Sequence, residues 1–206
     1  MQVQLDLYNS GKHPGNDADT IQTIKMVTEQ NERLSKMVKT LLDMSELQTV
    51  VRDETIIVNA LVDEVLADLE PLAQEKNIKL IGKCKDVNMV GSDILIYRLV
   101  YNLVENAIKY NHSGGQVSVE AYQREKQVYL SVKDTGNGIP EELKERVFEP
   151  FFRVDKSRSR ELGGVGLGLA LVNEIVRVHD GSIAIRPNPS GGTIIEVEFA
   201  VNRTTA

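Results

Sequence analysis

Two runs of alternating apolar and polar residues lie close together in the second half of this 206-residue chain. Gln116 to Tyr122 and Gln127 to Lys133 are separated only by a short polar turn, so they predict two strands paired as an antiparallel hairpin. A second pair is predicted at Ser182 to Arg186 and Thr193 to Val201. Because a helix is predicted between the two pairs, from about Leu167 to His179, we expect a mixed sheet with its helices on one face, an α/β sandwich.

Short β-branched runs and two further helices are predicted before the first hairpin. The runs are Thr55 to Val58 and Ile78 to Ile81, and they lie on either side of a helix predicted from about Ala60 to Gln74. The next helix is predicted from Ser92, a residue type that caps helix N-termini, to about Tyr110. These elements supply the remaining strands and helices of the sandwich.

A long helix is predicted upstream of the sandwich, from Asp17 to about Leu47. Its apolar residues recur at alternating spacings of three and four, with one polar residue in the series: Ile24, Val27, Asn31, Leu34, Val38 and Leu41. This pattern is typical of a coiled-coil or bundle seam, in which a polar residue fixes the register. A surface helix packed on its own domain is the alternative. Turn-forming residues at Asn9 to Asn16 separate the helix from a short stub, so residues 1–50 are predicted to be part of a helical hairpin and residues 51–206 a second domain.

The composition excludes several classes of protein. A net charge of −6, from 24 basic and 30 acidic residues, leaves no basic footprint for nucleic acid. No apolar run approaches the roughly 18 residues of a membrane helix, and the N-terminus lacks a signal-peptide pattern. The single cysteine, Cys84, cannot form an internal disulfide. We therefore expect a cytoplasmic segment, although a longer parent protein could be anchored in the plasma membrane.

The first chemically informative segment is a polar stripe on the helix predicted to end at Tyr110. Asn102, Asn106 and Lys109 lie within roughly 60° of one another around a helix that turns 100° per residue. A carboxamide oxygen is a hard ligand suited to Mg²⁺, and a lysine ammonium suits the charge of a phosphate. A solvated helix face is the alternative interpretation.

The second segment is Asp134-Thr135-Gly136-Asn137-Gly138-Ile139-Pro140, directly after a predicted strand. Its aspartate carboxylate could accept a hydrogen bond from an exocyclic amine such as N6 of adenine. Gly136 and Gly138 would let the backbone turn tightly and approach a planar ligand closely. Taken alone, the segment is also compatible with a tight turn that binds nothing.

The third segment joins aromatic residues, basic residues and a glycine string. It runs from Phe148 to Arg153 and through Lys156 to Gly163-Gly164-Val165-Gly166-Leu167-Gly168-Leu169, where a helix is predicted to begin. Free N–H groups at a helix start face an incoming phosphate favourably. The string is neither a Walker loop nor a dinucleotide-binding fingerprint, and a purely structural loop is the alternative. A fourth segment, Gly191-Gly192-Thr193, enters the last strand and by itself predicts a hairpin turn.

In this order, the four segments resemble the N box, the first glycine box, the Phe box with the second glycine box, and the third glycine box of histidine kinases. The resemblance covers about Thr55 to Val201, and the upstream helix resembles the second helix of the dimerisation and histidine-phosphotransfer hairpin. It implies the Bergerat ATP-binding fold, which gyrase, mismatch-repair and chaperone ATPases share. It also implies an ATP-dependent protein kinase that uses Mg²⁺.

The resemblance further implies roles at the phosphate end of the nucleotide. Asn106 would coordinate Mg²⁺ with help from Asn102, and Lys109, Arg153 and Lys156 would contact phosphate. Asn106 and Arg153 would thereby take part in catalysis. The glycine string would provide the hinge and backbone cradle through Gly164, Gly166, Leu167, Gly168 and Leu169.

At the adenine end, the resemblance implies that Asp134 reads the amine of the base. The other residues expected in this part of the pocket are Tyr110, Gly136, Gly138, Ile139 and Thr193.

The acceptor of the family is a histidine followed by an acidic residue and, a little later, a proline. None of the three histidines of this chain, His13, His112 and His179, is predicted to be that acceptor, and each is expected in a surface or capping role. We therefore expect an acceptor upstream of this sequence and a chain that binds ATP without labelling itself. The full-length protein is expected to form a homodimer and to pass phosphate to the receiver domain of a response regulator.

Three alternatives belong to other functional classes. An ATP hydrolase or clamp of the same fold would use a glutamate base where Asn102 stands. A serine-type protein kinase of the same fold would not need the hairpin-like helix. A scaffold with a degenerate nucleotide site is disfavoured by the intact Asn102, Asn106 and Asp134.

Overall fold

The computed structural model describes residues 17–154 and 165–201. Within these ranges the helices are α1 (Asp17–Glu46), α2 (Val58–Glu75), α3 (Asp93–Lys109) and α4 (Gly168–Val178). The strands are β1 (Glu54–Ile57), β2 (Lys79–Cys84), β3 (Asn88–Gly91), β4 (Gln116–Arg124), β5 (Gln127–Asp134), β6 (Ser182–Pro187) and β7 (Thr193–Ala200). Two short 3₁₀ turns, Glu141–Leu143 and Arg146–Phe148, follow β5.

The main sheet has five strands in the order β2-β4-β5-β7-β6. Strands β2 and β4 are parallel, and every other pair in this sheet is antiparallel. β4–β5 and β6–β7 are the two predicted hairpins. The mixed sheet with helices packed against it confirms the predicted α/β sandwich.

Period-two alternation in the central strands builds the core between the sheet and the helices. One face of β4, β5 and β7 carries apolar side chains that are buried: Val117, Val119, Ala121, Val128, Leu130, Val132, Ile195, Val197 and Phe199. The opposite face carries half-buried polar side chains, including an ion pair of 2.6 Å between Lys133 Nζ and Glu120 Oε2. Helices α2, α3 and α4 contribute the apolar partners of the buried face. The sandwich therefore holds α3 and α4 firmly by one side and leaves their other sides available for chemistry.

Strand β3 was not predicted. It is only four residues long and contains Asn88 and Gly91, which have low strand propensity. It forms a separate antiparallel pair with β1, in which buried Ile56 lies opposite buried Met89. Pairing with a distant strand and burial of Met89 therefore outweigh a weak local pattern.

The start of α3 is held by a histidine from the end of α4. Ser92 is the N-cap residue, as predicted, but its side chain makes no capping hydrogen bond. Its backbone N–H instead donates to Nε2 of His179 over 3.1 Å. The other ring nitrogen, Nδ1, therefore carries the proton and donates to the carbonyl of Ile175 over 2.8 Å. His179 is 3% exposed, so of its two expected roles the structure shows the capping one.

The chain divides into two compact units, Met1–Leu41 and Leu42–Ala206. In the first unit the described residues belong to α1, and its seam side chains are exposed, with Leu34 at 58%. In the second unit the last turn of α1 is packed. Leu47 is 1% exposed, and Asp43 pairs with Arg98 of α3 over 2.8 Å. Among the described residues, no helix combines the length and the hydropathy needed to cross a membrane.

Candidate nucleotide-binding site

The predicted polar stripe exists on α3. Asn102, Asn106 and Lys109 are half-buried, whereas Leu99 and Leu103 beside the stripe are buried in the core. The carboxamide Nδ2 of Asn102 donates to the carbonyl of Arg98 over 2.7 Å, so the carboxamide oxygen Oδ1 points away from that carbonyl. The ammonium of Lys109 lies 2.7 Å from Oε1 of Glu105, one turn earlier on the same helix. The ion pair keeps Lys109 on the side of the stripe.

Gly168, the first residue of α4, lies directly against this stripe. A Cβ atom built on Gly168 would be 3.0 Å from Oδ1 of Asn102 and 3.4 Å from Nδ2 of Asn106. The preceding Leu167 is the N-cap residue and is buried, and Leu169 packs against the core. The first N–H groups of a helix have no partner within the helix and favour anions. The start of α4 and two carboxamides thus meet at one place.

The Phe box and the glycine string are joined by a backbone contact. Phe151 donates its N–H to the carbonyl of Gly166 over 2.8 Å. Gly166 has φ +78°, and a Cβ there would lie 2.7 Å from the carbonyl oxygen of Phe152. Arg153 follows and is half-buried. The predicted site residues Lys156 and Gly164 lie outside the described residues.

Asp134 ends β5 with one carboxylate oxygen held by backbone groups. Its Oδ1 accepts hydrogen bonds from the N–H of Gly136 over 2.7 Å and from the N–H of Thr193 over 3.3 Å. Burial raises the pKa of this carboxyl, and the two N–H groups offset part of that effect. In the described part of the chain no hydrogen bond engages Oδ2. Asp134 can therefore accept a further hydrogen bond through Oδ2, provided that it is ionised.

Glycines let the backbone approach Asp134 from two directions. A Cβ at Gly192, where φ is +87°, would collide with the carbonyl oxygen of Asp134 and lie 2.5 Å from its Oδ1. A Cβ at Gly136 would lie 2.5 Å from the carbonyl oxygen of Tyr110. That same carbonyl accepts from the backbone N–H and the side-chain Nδ2 of Asn137, over 3.4 and 3.2 Å. The Asp134 turn is thereby tied to the C-terminal end of α3.

The remaining predicted residues of this region surround the turn. Gly138 has φ +74°, and a Cβ built on it would lie 3.5 Å from the carbonyl oxygen of Gly192. Ile139 is half-buried, Thr193 is buried and Tyr110 is 39% exposed.

The predicted residues therefore form two groups, and α3 links them. Asn102, Asn106 and Gly168 meet on the side of α3, and Asp134 and Gly136 meet its C-terminal end at Tyr110. The two groups are one helical turn apart, since the N–H of Tyr110 donates to the carbonyl of Asn106 over 3.0 Å. Such an arrangement offers a carboxylate for a base and carboxamides with helix N–H groups for phosphates and a metal ion.

Sequence reasoning missed one residue that touches this site. Asn188, in the turn between β6 and β7, donates from Nδ2 to the carbonyl of Asp134 over 2.7 Å. The local signal was an asparagine beside Pro189 in a turn, which predicts only a turn. Its partner lies 54 residues away, a distance that no local pattern reports.

A comparison with protein families gives one match, over residues 91–203, to the family described as "Histidine kinase-, DNA gyrase B-, and HSP90-like ATPase". The matched range begins just before α3 and contains all four motif segments.

Several curated sensor kinases are similar to this chain. The sensor-like histidine kinase SenX3 of Mycolicibacterium smegmatis is 36% identical over 183 residues, which cover 86% of this chain and 47% of SenX3. The sensor histidine kinase RppB of Synechocystis sp. is 34% identical over 180 residues, covering 85% of this chain and 40% of RppB. The sensor histidine kinase WalK of Bacillus subtilis is 35% identical, covering 82% of this chain and 29% of WalK. The chain thus spans less than half the length of these relatives.

Solved structures agree with this comparison. The catalytic domain of histidine kinase ThkA superposes with a TM-score of 0.66 and 27% identity, covering 74% of this chain and 97% of that domain. ThkA in complex with the response regulator protein TrrA superposes with a TM-score of 0.77 and 25% identity, covering 97% of this chain and 57% of ThkA. The named relatives favour the histidine kinase over the hydrolase, serine kinase and scaffold alternatives. The resemblance inferred from the motifs is confirmed: the chain belongs to the family of histidine kinase-, DNA gyrase B- and HSP90-like ATPases, and its sandwich is the ATP-binding catalytic domain of a sensor histidine kinase.

Proposed function

We propose that this chain binds ATP with Mg²⁺ and transfers the γ-phosphate to a histidine on a dimerisation hairpin, from which a response regulator receives it. The supporting observation is that α3 brings together two groups of residues, one with carboxamides and one with a carboxylate. Asn102 and Asn106 lie against the start of α4, and Asp134 lies at the end of α3, one turn further along.

At the adenine end, Asp134 is the residue proposed to select the base. Its Oδ1 is held by two backbone N–H groups, so Oδ2 is the oxygen that would accept from N6 of adenine. Gly136 and Gly138 keep the adjacent surface free of side chains, and Ile139 and Tyr110 supply its apolar and aromatic border. Thr193 supports the carboxylate through its N–H rather than by touching the base.

At the phosphate end, Asn106 with Asn102 is proposed to hold Mg²⁺ through carboxamide oxygens. The donor set fits a hard cation, which in proteins shares its remaining positions between water and phosphate oxygens. Bound there, Mg²⁺ would neutralise the charge that develops on the transferred phosphoryl group. The N–H groups at Gly168 and Leu169 would meet phosphate oxygens, and Gly168 has no side chain to block them.

Further phosphate contacts are proposed from Lys109 and Arg153. Lys109 would turn from Glu105 toward the triphosphate, which a flexible four-carbon side chain permits. For Lys156 and Gly164 the proposal rests on the sequence motif alone.

The proposed partners follow from the relatives and from α1. ThkA is bound to the response regulator TrrA in its solved complex, which supports a receiver domain as the final acceptor. The exposed seam of α1 supports pairing with a second copy in the longer protein, with residues 1–50 as part of the dimerisation hairpin and residues 51–206 as the catalytic domain. His112 is exposed in a turn, His179 is buried with both ring nitrogens bonded, and His13 lies outside the described residues. The proposed acceptor histidine is on another segment.

Label transfer from γ-labelled ATP tests this function. The chain is incubated with Mg²⁺, labelled ATP and purified histidine-bearing hairpins of SenX3, RppB and WalK. We expect acid-labile, base-stable label on an added hairpin and none on the chain itself. Acid-stable label on a hydroxyl side chain would support the serine kinase, and steady phosphate release without any hairpin would support the hydrolase.

Two asparagine variants serve as matched controls in this assay. Asn106→Ala removes the proposed metal ligand and should abolish label transfer. Asn59→Ala removes a carboxamide on α2 that, among the residues the structure describes, bonds Asp86, and it should leave transfer unchanged. Equal transfer by both variants would contradict the role of Asn106.

A further inference from the structure

The ladder between β5 and β7 ends one residue before Asp134. Its last pair is Lys133 with Ile194. The carbonyl of Asp134 therefore has no partner in β7, although a strand carbonyl that is shielded from water needs one. The side chain of Asn188 takes the place of that partner, with Nδ2 lying 2.7 Å from the carbonyl oxygen.

The orientation of the Asn188 amide is fixed by a second hydrogen bond. The backbone N–H of Ser190 donates to Oδ1 of Asn188 over 3.1 Å, so the other end of the amide is necessarily the donor. Two backbone bonds close the same turn: the N–H of Asn188 donates to Gly192 over 3.1 Å, and the N–H of Gly191 donates to Asn188 over 2.9 Å. The side chain of Asn188 thus links the β6–β7 turn to the end of β5 and is itself held in one orientation.

The residue that Asn188 binds, Asp134, is the one proposed to recognise the base. The carbonyl of Asp134 is held by Asn188, and its carboxylate Oδ1 is held by Gly136 and Thr193. Backbone and side chain of one residue are therefore fixed from different directions. If the Asn188 bond is lost, this peptide is still held through the N–H of Thr135, which donates to the carbonyl of Gln116 over 3.2 Å. Its carbonyl end is then less well fixed, and so is the direction of Oδ2.

We propose that Asn188 is a positioning residue for base selection: its amide holds the Asp134 backbone so that the carboxylate faces the 6-amino group of a purine. This inference rests on the proposed ATP binding and deepens it. Asn188 does not touch the nucleotide. Its effect is confined to nucleotides that carry the exocyclic amine, because only these use the carboxylate.

Two substitutions remove the amide donor and keep the turn. In Asn188→Asp a carboxylate oxygen still accepts from the N–H of Ser190, and in Asn188→Ser a hydroxyl does so without adding charge. Ser190→Ala is the matched control, because it changes a side chain of the same turn and keeps the backbone N–H that Asn188 accepts from.

The readout is the affinity of the 206-residue chain, by calorimetry with Mg²⁺, for ATP and for purine riboside triphosphate, which lacks the 6-amino group. We expect both Asn188 variants to bind ATP about fivefold more weakly, the effect of losing one neutral hydrogen bond. Their affinity for purine riboside triphosphate should stay within about twofold of the wild type, and Ser190→Ala should behave as the wild type does for both nucleotides.

Three results would overturn the inference. One is an unchanged preference for ATP in both Asn188 variants. Another is an equal loss for both nucleotides together with a lower melting temperature, which would mean that Asn188 only stabilises the fold. The third is an altered preference in Asn188→Asp alone, which would assign the effect to the added charge. A wild-type chain that binds neither nucleotide would instead contradict the proposed function.

Discussion

The two ends of the candidate site differ in whether backbone groups or side chains make their contacts. At the adenine end every contact made to Asp134 involves a backbone group: the N–H groups of Gly136 and Thr193 hold its carboxylate, and the backbone at Gly192 packs against its carbonyl. At the phosphate end the contacts are between side chains. A Cβ atom built on Gly168 would meet carboxamide atoms of Asn102 and Asn106.

This difference decides how much change each end tolerates. A backbone group can move only if the strands or turns that contain it move, whereas a carboxamide can rotate about its side-chain torsions. The adenine end is therefore fixed by the fold, and the phosphate end can adjust to its ligand. Added atoms should consequently cost much more at the adenine end.

The largest effect is expected from Gly192→Ala. The new Cβ would collide with the carbonyl of Asp134 and press on its carboxylate, so the charge-assisted hydrogen bond to the base would be lost. Such a bond is worth up to about 3 kcal/mol, which corresponds to roughly 100-fold in ATP affinity by calorimetry.

Gly191→Ala is the matched control for this change. Gly191 also has a left-handed φ, +94°, but no atom of the described residues outside its immediate chain neighbours lies within 4 Å of the position of its Cβ. Both variants carry the backbone strain of about 1–2 kcal/mol, and only one carries the collision. Equal losses of ATP affinity in the two variants would show that strain alone matters and that the adenine end is not tightly packed.

A smaller loss is expected from Asp134→Asn, which keeps an oxygen for the N–H groups of Gly136 and Thr193 but removes the charge. We expect about tenfold weaker ATP binding, the lower part of the range for a charged hydrogen bond. The affinity for purine riboside triphosphate should be unchanged. A loss of the same size for both nucleotides would remove Asp134 from base recognition.

The same substitution, which should weaken ATP binding, should make the ligand-free chain more stable at pH 7. Burial raises the pKa of the Asp134 carboxyl in the folded state, so its contribution to stability is present below the unfolded pKa and is lost as the pH rises through the folded value. At pH 7 the ionised carboxylate thus costs stability, and Asp134→Asn should have the higher melting temperature. The difference should vanish near pH 4; a wild type that is the more stable protein at pH 7 would contradict this.

A modest effect on ATP binding is expected from acidification. Because the pKa of Asp134 is raised, its carboxylate should be lost at a higher pH than an exposed aspartate would require, and the ATP affinity should fall with it. Titrations in parallel with Asp134→Asn cancel the protonation of ATP itself. A ratio of the two affinities that is constant between pH 7 and pH 4 would exclude this titration.

The smallest effect is expected from Gly168→Ala, at the phosphate end. Its Cβ would lie 3.0 Å from Oδ1 of Asn102, which can move by a few tenths of an ångström. Alanine also favours a helix over glycine by up to about 1 kcal/mol. We expect a change of no more than about threefold in ATP affinity and a slightly higher melting temperature. A loss as large as that of Gly192→Ala would show that the two ends are equally rigid.

The sequence predicted the elements whose pattern is local. The helices and both hairpins were read from periodicity, and the structure places their ends within three residues of prediction. Strand β3 was missed because Asn88 and Gly91 gain their strand conformation from pairing with β1. The buried contact between Ser92 and His179 was missed for a related reason, since it joins residues 87 positions apart.

The candidate site shows the same division. Its motif residues were found because glycines, asparagines and an aspartate in one order carry a recognisable chemistry. Asn188 was not found, since its function depends on a carbonyl in another strand rather than on its neighbours in sequence. Contacts of a backbone group with a residue far away in the sequence are what a local pattern omits, and such contacts also fix Asp134 at the adenine end.

Asn106 and Asp134 are proposed to hold opposite ends of one nucleotide, and a crossed set of titrations tests this most directly. Affinities for ATP and purine riboside triphosphate are measured with Mg²⁺ and with a chelator in the wild type, Asn106→Ala and Asp134→Asn. We expect Asn106→Ala to lose the dependence on Mg²⁺ and keep the preference for ATP, and Asp134→Asn to do the reverse. The account would be contradicted if Asn106→Ala lost the preference for ATP and kept the dependence on Mg²⁺. It would equally be contradicted if Asp134→Asn lost the dependence on Mg²⁺ and kept the preference for ATP.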